Sequence, residues 1–416
     1  MAPDTAVPTE PLDLASFGPR MLTDPYPVLA ELRERGPAHR VRLFDGSEAW
    51  LIVSYPEARA ALADPRFRKD WSAADPALRK EVMGDGSEGG SRPKVGRHML
   101  SADPPDHTRL RNLVSRAFTP RRIERLRPTI QRTTDDLLDA MLPQGRADLL
   151  DALAYPLSMA VICELLGVPV PDQEQFRRWS GYLVVNDRTP AAAEAAQRFH
   201  AYLRELVAAK RESPGSDVLS ALIQVQDDDG DRLSEEELHA TTLLLLLAGH
   251  ETTLNMIGNA VLSLLRHPDQ LAALRADWSL IDGAIAESLR YQGPLKTASV
   301  RFAAEEVRIG DTVIPADGSP VLVALAAADR DPGRYQDPDR FDITRNTTGH
   351  LAFGHGVHYC LGAPLARLEG AVVVRSLLER CPDLALDVPV EELGWRGGIA
   401  LRGMTELPVR FTPVRG

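Results

Sequence analysis

Cys360 stands in the stretch Phe353-Gly354-His355-Gly356-Val357-His358-Tyr359-Cys360-Leu361-Gly362, with glycines on both sides and a helix-forming run over residues 363–380 directly behind it. Glycines permit a tight loop, and the positive end of the following helix favours thiolate over thiol. The chain has two other cysteines, Cys163 in an apolar segment and Cys381 at a helix end, where inert thiols are expected. A single thiolate presented in this way suits one soft metal centre, and haem iron is the candidate.

A second set of residues breaks local rules inside a long helix. Ser234 followed three residues later by Glu237 reads as a capping box, and the helix it starts runs over residues 235–265 until His267-Pro268 stops it. The centre is apolar nearly all round, so the helix must pass through the core. Within it lies Ala248-Gly249-His250-Glu251-Thr252-Thr253. Glycine costs about 1 kcal/mol in a helix interior, and a buried carboxylate is costly without a partner. Ala248 and Thr252 are four apart and share a face. The small residue leaves room for a flat ligand, and the hydroxyl points into that room.

Two weaker pairs surround these. Glu287 and Arg290 are three apart on one helix face. In Asp103-Pro104-Pro105-Asp106-His107-Thr108-Arg109-Leu110-Arg111, Asp103 is the expected N-cap with Pro104 in the first turn. His107 and Arg111 then share a face that can clamp a carboxylate.

The elements that must position these groups are mainly helical. Helices are expected over residues 26–35, 55–63, 105–118, 120–141, 156–166, 191–210, 268–277 and 281–291, besides those already described. Short strands are expected at 40–44 and 49–54, joined through Asp45-Gly46, and at 307–309, 312–314 and 321–324. The fold class is therefore mainly α with small β-sheets, in one domain spanning residues 1–416 behind a flexible segment of about 20 residues. The formal charge of −11, from 48 basic and 59 acidic residues, disfavours nucleic acid and anionic membrane as partners. No signal peptide and no run long enough to span a bilayer is visible, and the sparse cysteines fit a reducing cytoplasm.

These motifs, in this order from about residue 24 to 408, resemble the cytochrome P450 family, most closely its soluble actinobacterial members such as macrolide and vitamin D hydroxylases. The resemblance implies that family's triangular-prism helical fold. It implies haem b, with Cys360 as the axial iron ligand and Phe353, Gly354, Gly362 and Ala248 against the porphyrin. His107, Arg111, Arg301 and His358 map to haem-propionate partners. Glu251 and Thr252 map to the acid–alcohol pair that relays protons, and Glu287, Arg290 and Arg340 map to a structural charge cluster. The substrate wall maps to Leu244, Ala248, Leu295, Thr297, Ala298, Ile399, Ala400 and Leu401, with a lid from residues 72–99 and from Leu183 and Val184. Lys296 falls beside this wall, where it either meets an oxygen-rich substrate or snorkels to solvent.

The function implied is insertion of one oxygen atom of O2 into a C–H bond of a sizeable apolar molecule: a macrolide or other polyketide, a steroid-like compound or a terpenoid. Electrons are expected from a separate ferredoxin with its NAD(P)H-dependent reductase, because no flavin or iron–sulfur domain is visible. Arg109, Arg116, Arg121, Arg122 and Arg367 are candidate docking charges. A monomer is expected. The rival readings are a peroxide-using, coupling or rearranging haem enzyme and a non-catalytic haem carrier. An intact Glu251-Thr252 pair argues against both.

Overall fold

Apolar residues at helical spacing build the long helices of the computed structural model, which describes residues 10–83, 97–169, 172, 174, 175, 178, 179, 189–226 and 230–413. They are α1 (Tyr26–Arg35), α2 (Tyr55–Ala63), α3 (Asp106–Ala117), α4 (Arg127–Met141), α5 (Tyr155–Leu166), α6 (Pro190–Glu212), α7 (Glu235–Arg266), α8 (Ile281–Gln292) and α9 (Ala363–Arg380). The capping box forms: Glu237 N donates to Ser234 Oγ at 3.2 Å, and Ser234 N donates to Glu237 Oε2 at 2.9 Å. The 32 residues of α7 then run unbroken through Gly249. That glycine serves contact: a Cβ there would lie 2.6 Å from Ile162 Cδ1 of α5. The hydroxyls of Thr252 and Thr253 donate to the carbonyls of Ala248 and Gly249 one turn back. One apolar core joins α4, α5, α7, α8 and α9, each fully buried Leu or Ile contributing about 1.5–3 kcal/mol.

The strands gather into small sheets. Six form one sheet: β1 (Leu12–Asp13), β2 (Ala38–Arg42), β3 (Glu48–Ile52), β4 (Phe67–Arg68), β6 (Arg301–Ala303) and β9 (Pro320–Val323), with β5 (Arg146–Asp148), β7 (Val307–Ile309) and β8 (Thr312–Ile314) lying elsewhere. Their order is β1-β2-β3-β9-β6-β4. The Asp45-Gly46 turn joins β2 to β3, with Gly46 at φ +84°. β10 (Ala385–Leu386) and β11 (Pro408–Arg410) complete a three-stranded sheet with β5.

Three local expectations need correction. The helix expected over 120–141 is two helices, Pro120–Glu124 and α4. Asp103 does not cap α3: its carboxylate accepts from the backbone amides of Lys69 (2.9 and 3.1 Å) and Asp70 (3.0 Å), tying the start of α3 to the segment after β4. The second arginine at Glu287 is Arg345, not Arg340. Arg345 Nε reaches Glu287 Oε1 at 3.3 Å, whereas Arg340 is exposed and offers its carbonyl to Arg290 and Arg345. The loop turns back after Phe341, which brings Asp342 N to Glu287 Oε1 at 2.9 Å and Arg345 with it.

Candidate active site

The loop that presents Cys360 is built on backbone. Cys360 N donates to Phe353 O at 2.9 Å, Gly354 N to Leu351 O at 2.7 Å and Tyr359 N to Gly356 O at 3.0 Å. Gly356 has φ +75° and approaches α2 so closely that a Cβ would lie 2.9 Å from Ala63 Cα and from Leu62 O. Cys360 is reached from a cavity of about 300 Å³. Burial pushes its thiol up, against the amides of Gly362 and Ala363 and the charges of Arg111 and Arg367. The helix end therefore acts in the expected direction, but desolvation outweighs it, so the loop alone does not favour a thiolate. A bound cation would complete the preference.

Facing the cysteine loop across the cavity are Leu244, Ala248 and Thr252 of α7, and Leu295 and Ala298 after α8 complete the apolar wall. Phe353, Gly354 and Gly362 line the cysteine side. His107 and Arg111 of α3, Arg301 of β6 and His358 of the cysteine loop converge on the same cavity from three separate segments. Arg111 Nη2 donates to Tyr359 O at 2.8 Å, Arg301 Nη2 donates to Leu62 O at 3.1 Å, and the rings of His107 and His358 lie 4.2 Å apart.

Burial, then the neighbouring His107, Lys69, Arg301 and Arg111, push His358 down to about 3; burial brings Arg301 to about 10. Both ring nitrogens of His107 are buried, with no hydrogen-bond partner among the described residues. Such a basic, donor-rich cluster beside a flat apolar space fits the two carboxylates of a porphyrin edge, and Cys360 supplies the soft ligand on the cysteine side. The residues present therefore fit a haem.

Other expected residues fall elsewhere. Thr297, Ile399, Ala400 and Leu401 do not border the cavity. Leu401 pairs with Leu295 in an antiparallel bridge and Thr297 Oγ1 donates to Ile399 O at 3.3 Å, so this strand backs the wall. Glu251 is also absent from the wall: its buried carboxylate turns to Arg396 in an ion pair. Lys296 neither borders the cavity nor snorkels. It is 2% exposed, and burial, then Arg402, brings its ammonium down to about 8. Leu183, Val184 and residues 84–96 of the expected lid lie outside the described residues.

Sequence reading missed Lys69, Arg345 and Arg396. Lys69 is buried behind the basic cluster, where its ammonium donates to Ser299 Oγ at 2.5 Å and Val300 O at 2.9 Å. Arg345 had a signal in its place five residues after Arg340. Arg396 had none, because Glu251 is 145 residues away.

A family model described as Cytochrome P450 matches residues 175–384. The chain is 53% identical over 403 residues to cytochrome P450 monooxygenase PikC of Streptomyces venezuelae, covering 96% of this chain and 94% of that one. It is 47% identical to 6-deoxyerythronolide B hydroxylase of Saccharopolyspora erythraea, covering 93% and 96%. The ligand-free structure of the P450 monooxygenase TamI superposes with a TM-score of 0.86 at 47% identity, over 97% of this chain and 94% of that chain. A cysteine loop facing the Ala248–Thr252 turn, together with relatives similar along nearly the whole length, leaves one conclusion: the chain belongs to the cytochrome P450 family of haem-thiolate monooxygenases.

Proposed function

We propose that this monooxygenase hydroxylates a sizeable apolar small molecule of the polyketide or macrolide, steroid-like or terpenoid class. Haem b is its cofactor, and a separate ferredoxin with its NAD(P)H-dependent reductase supplies the electrons. The observation that carries this reading is the single cavity wall in which Cys360, the basic cluster and the Ala248–Thr252 turn meet. When bound, the haem supplies activation of O2 and transfer of one oxygen atom to carbon. Cys360 would hold the iron, and His107, Arg111, Arg301 and His358 would hold the propionates. Leu244, Leu295 and Ala298 exclude water and orient an apolar substrate. Thr252 presents a hydroxyl to the cavity, and Glu251, next in the chain, exchanges protons with the outside.

The relative that bears a macrolide aglycone in its name supports the polyketide class first. Single-domain organisation, residues 1–416, and a cytoplasmic monomer are part of the same proposal. Among the described residues no helix is long and apolar enough to cross a membrane.

The spectrum of the reduced, carbon-monoxide-treated protein tests ligation. The wild type is expected to show the red-shifted Soret band of a thiolate ligand, and Cys360→Ser to lose it; persistence in the variant refutes the assignment. A spectral-shift screen of polyketides, steroids and terpenoids, followed by product analysis with a surrogate ferredoxin and reductase, tests the substrate class.

A further inference from the structure

Three residues on successive turns of α7 face the same C-terminal hairpin. Glu251, Asn255 and Asn259 are four apart and share one side of the helix. The hairpin is closed by the Trp395–Met404 bridge and by Arg396 N donating to Gly403 O at 2.9 Å. Asn259 Nδ2 donates to Arg402 O at 2.9 Å. Gly403 packs so tightly on Asn255 that a Cβ would fall 1.9 Å from Asn255 Oδ1. Arg396 holds the Glu251 carboxylate. The polar stripe thus seats the hairpin on the helix, and the ion pair lies at its cavity-proximal end.

Both members of the acid–alcohol pair are committed in this arrangement. Thr252 lines the cavity and donates back to Ala248 O at 2.8 Å. Glu251 does not line the cavity, and its side chain is 8% exposed against 35% for Arg396, so the pair leads from the buried helix face outward to solvent. The hairpin is also joined to the cavity wall, because Leu401 pairs with Leu295. A ligand pressing on Leu295 bears on the strand that carries this contact.

We propose that Arg396 is a positioning residue that parks Glu251 on the outer side of α7, and that loosening of the 395–404 hairpin releases the carboxylate toward Thr252. The inference rests on the proton-relay reading of Glu251 and adds the device that withholds it. Arg396 touches neither substrate nor cofactor; it acts through Glu251.

The test uses the haem-loaded enzyme, fully reduced together with one equivalent of a surrogate ferredoxin that supplies the second electron, and then mixed with oxygenated buffer in H2O and in D2O. Return to the oxidised spectrum is expected to be three- to tenfold faster in Arg396→Met than in wild type. Arg396→Lys, which keeps the cation, is expected to stay near the wild-type rate. The Arg396→Met/Glu251→Gln double variant is expected to fall to the rate of Glu251→Gln, with the solvent isotope effect following the rate. Thermal unfolding of wild type, Arg396→Met, Glu251→Gln and the double variant is expected to show non-additive losses, since the two side chains touch. An Arg396→Met rate equal to or below wild type overturns the parking role and leaves the relay intact. A gain that survives in the double variant means the protons do not pass through Glu251, which overturns the relay reading itself.

Discussion

Arg290 and Glu287 form a two-pronged ion pair, Nε to Oε2 at 2.7 Å and Nη2 to Oε1 at 2.8 Å, with both side chains completely buried. The remaining guanidinium donors reach the carbonyls of Asp329 (3.0 Å), Pro338 (2.8 Å) and Arg340 (3.3 Å). The pair thereby fastens α8 to the loop that leads to the cysteine. Removing one partner leaves the other charge buried and alone, at a cost of about 3–5 kcal/mol. Arg290→Met is expected to fold poorly and to lose haem on expression. Arg345→Ala removes the second cation at Glu287 and is expected to cost about 1–3 kcal/mol. Arg340→Ala, on an exposed side chain, is expected to stay within about 0.5 kcal/mol of wild type. Apparent melting temperatures of the three variants check the ranking.

Gly356 and Gly354 both have positive φ, +75° and +73°, but only one is crowded. A Cβ at Gly356 meets the backbone of α2 at 2.9 Å, which cannot yield as a side-chain tip can; at Gly354 the nearest atom is 4.0 Å away. Gly356→Ala is expected to displace the cysteine loop and to lower the fraction of protein that shows the thiolate Soret band. Gly354→Ala carries the backbone strain alone, roughly 1–2 kcal/mol, and is expected to keep the band with a lower melting temperature.

Lys296 makes stability depend on pH in a definite direction. Burial holds its ammonium at about 8 in the folded protein, below the ordinary 10.5. Between those values the unfolded chain binds more protons, so stability rises with pH across that window. Below about pH 8 the penalty is fully present, on the order of 3 kcal/mol. Lys296→Met is expected to raise the melting temperature at pH 7 and to give a gain that shrinks as pH approaches 10. A pH series of thermal melts on both proteins checks it.

Arg301 lies in the basic cluster, where among the described residues its acceptor is Leu62 O. Its charge-assisted bond to a propionate is worth about 1.5–3 kcal/mol. Arg301→Ala is expected to release haem to apomyoglobin roughly ten- to a hundredfold faster than wild type, by the factor-of-ten equivalence of 1.4 kcal/mol. His107→Phe, which keeps the ring volume and removes the two unpartnered nitrogens, is expected to speed release by a smaller factor.

Chemistry written in short spacings was legible in the chain. The cysteine between glycines, the Ser234–Glu237 cap, the Ala248–Thr252 face and the Glu287–Arg290 pair all depend on neighbours within a few residues, where helix and turn geometry leave little freedom. The β-hairpin at residues 307–314 was readable for the same reason. Contacts between distant segments were not. Asp103 looks like an N-cap until the amides of Lys69 and Asp70 reach it, and Arg340 looks like the partner of Glu287 until the loop delivers Arg345. The family resemblance places Ile399, Ala400 and Leu401 on the substrate wall, whereas folding sets them behind Leu295 and brings Arg396 onto Glu251. The balance at Cys360 is of the same kind: the helix end is visible in the sequence, but the desolvation that outweighs it comes from the whole packed core.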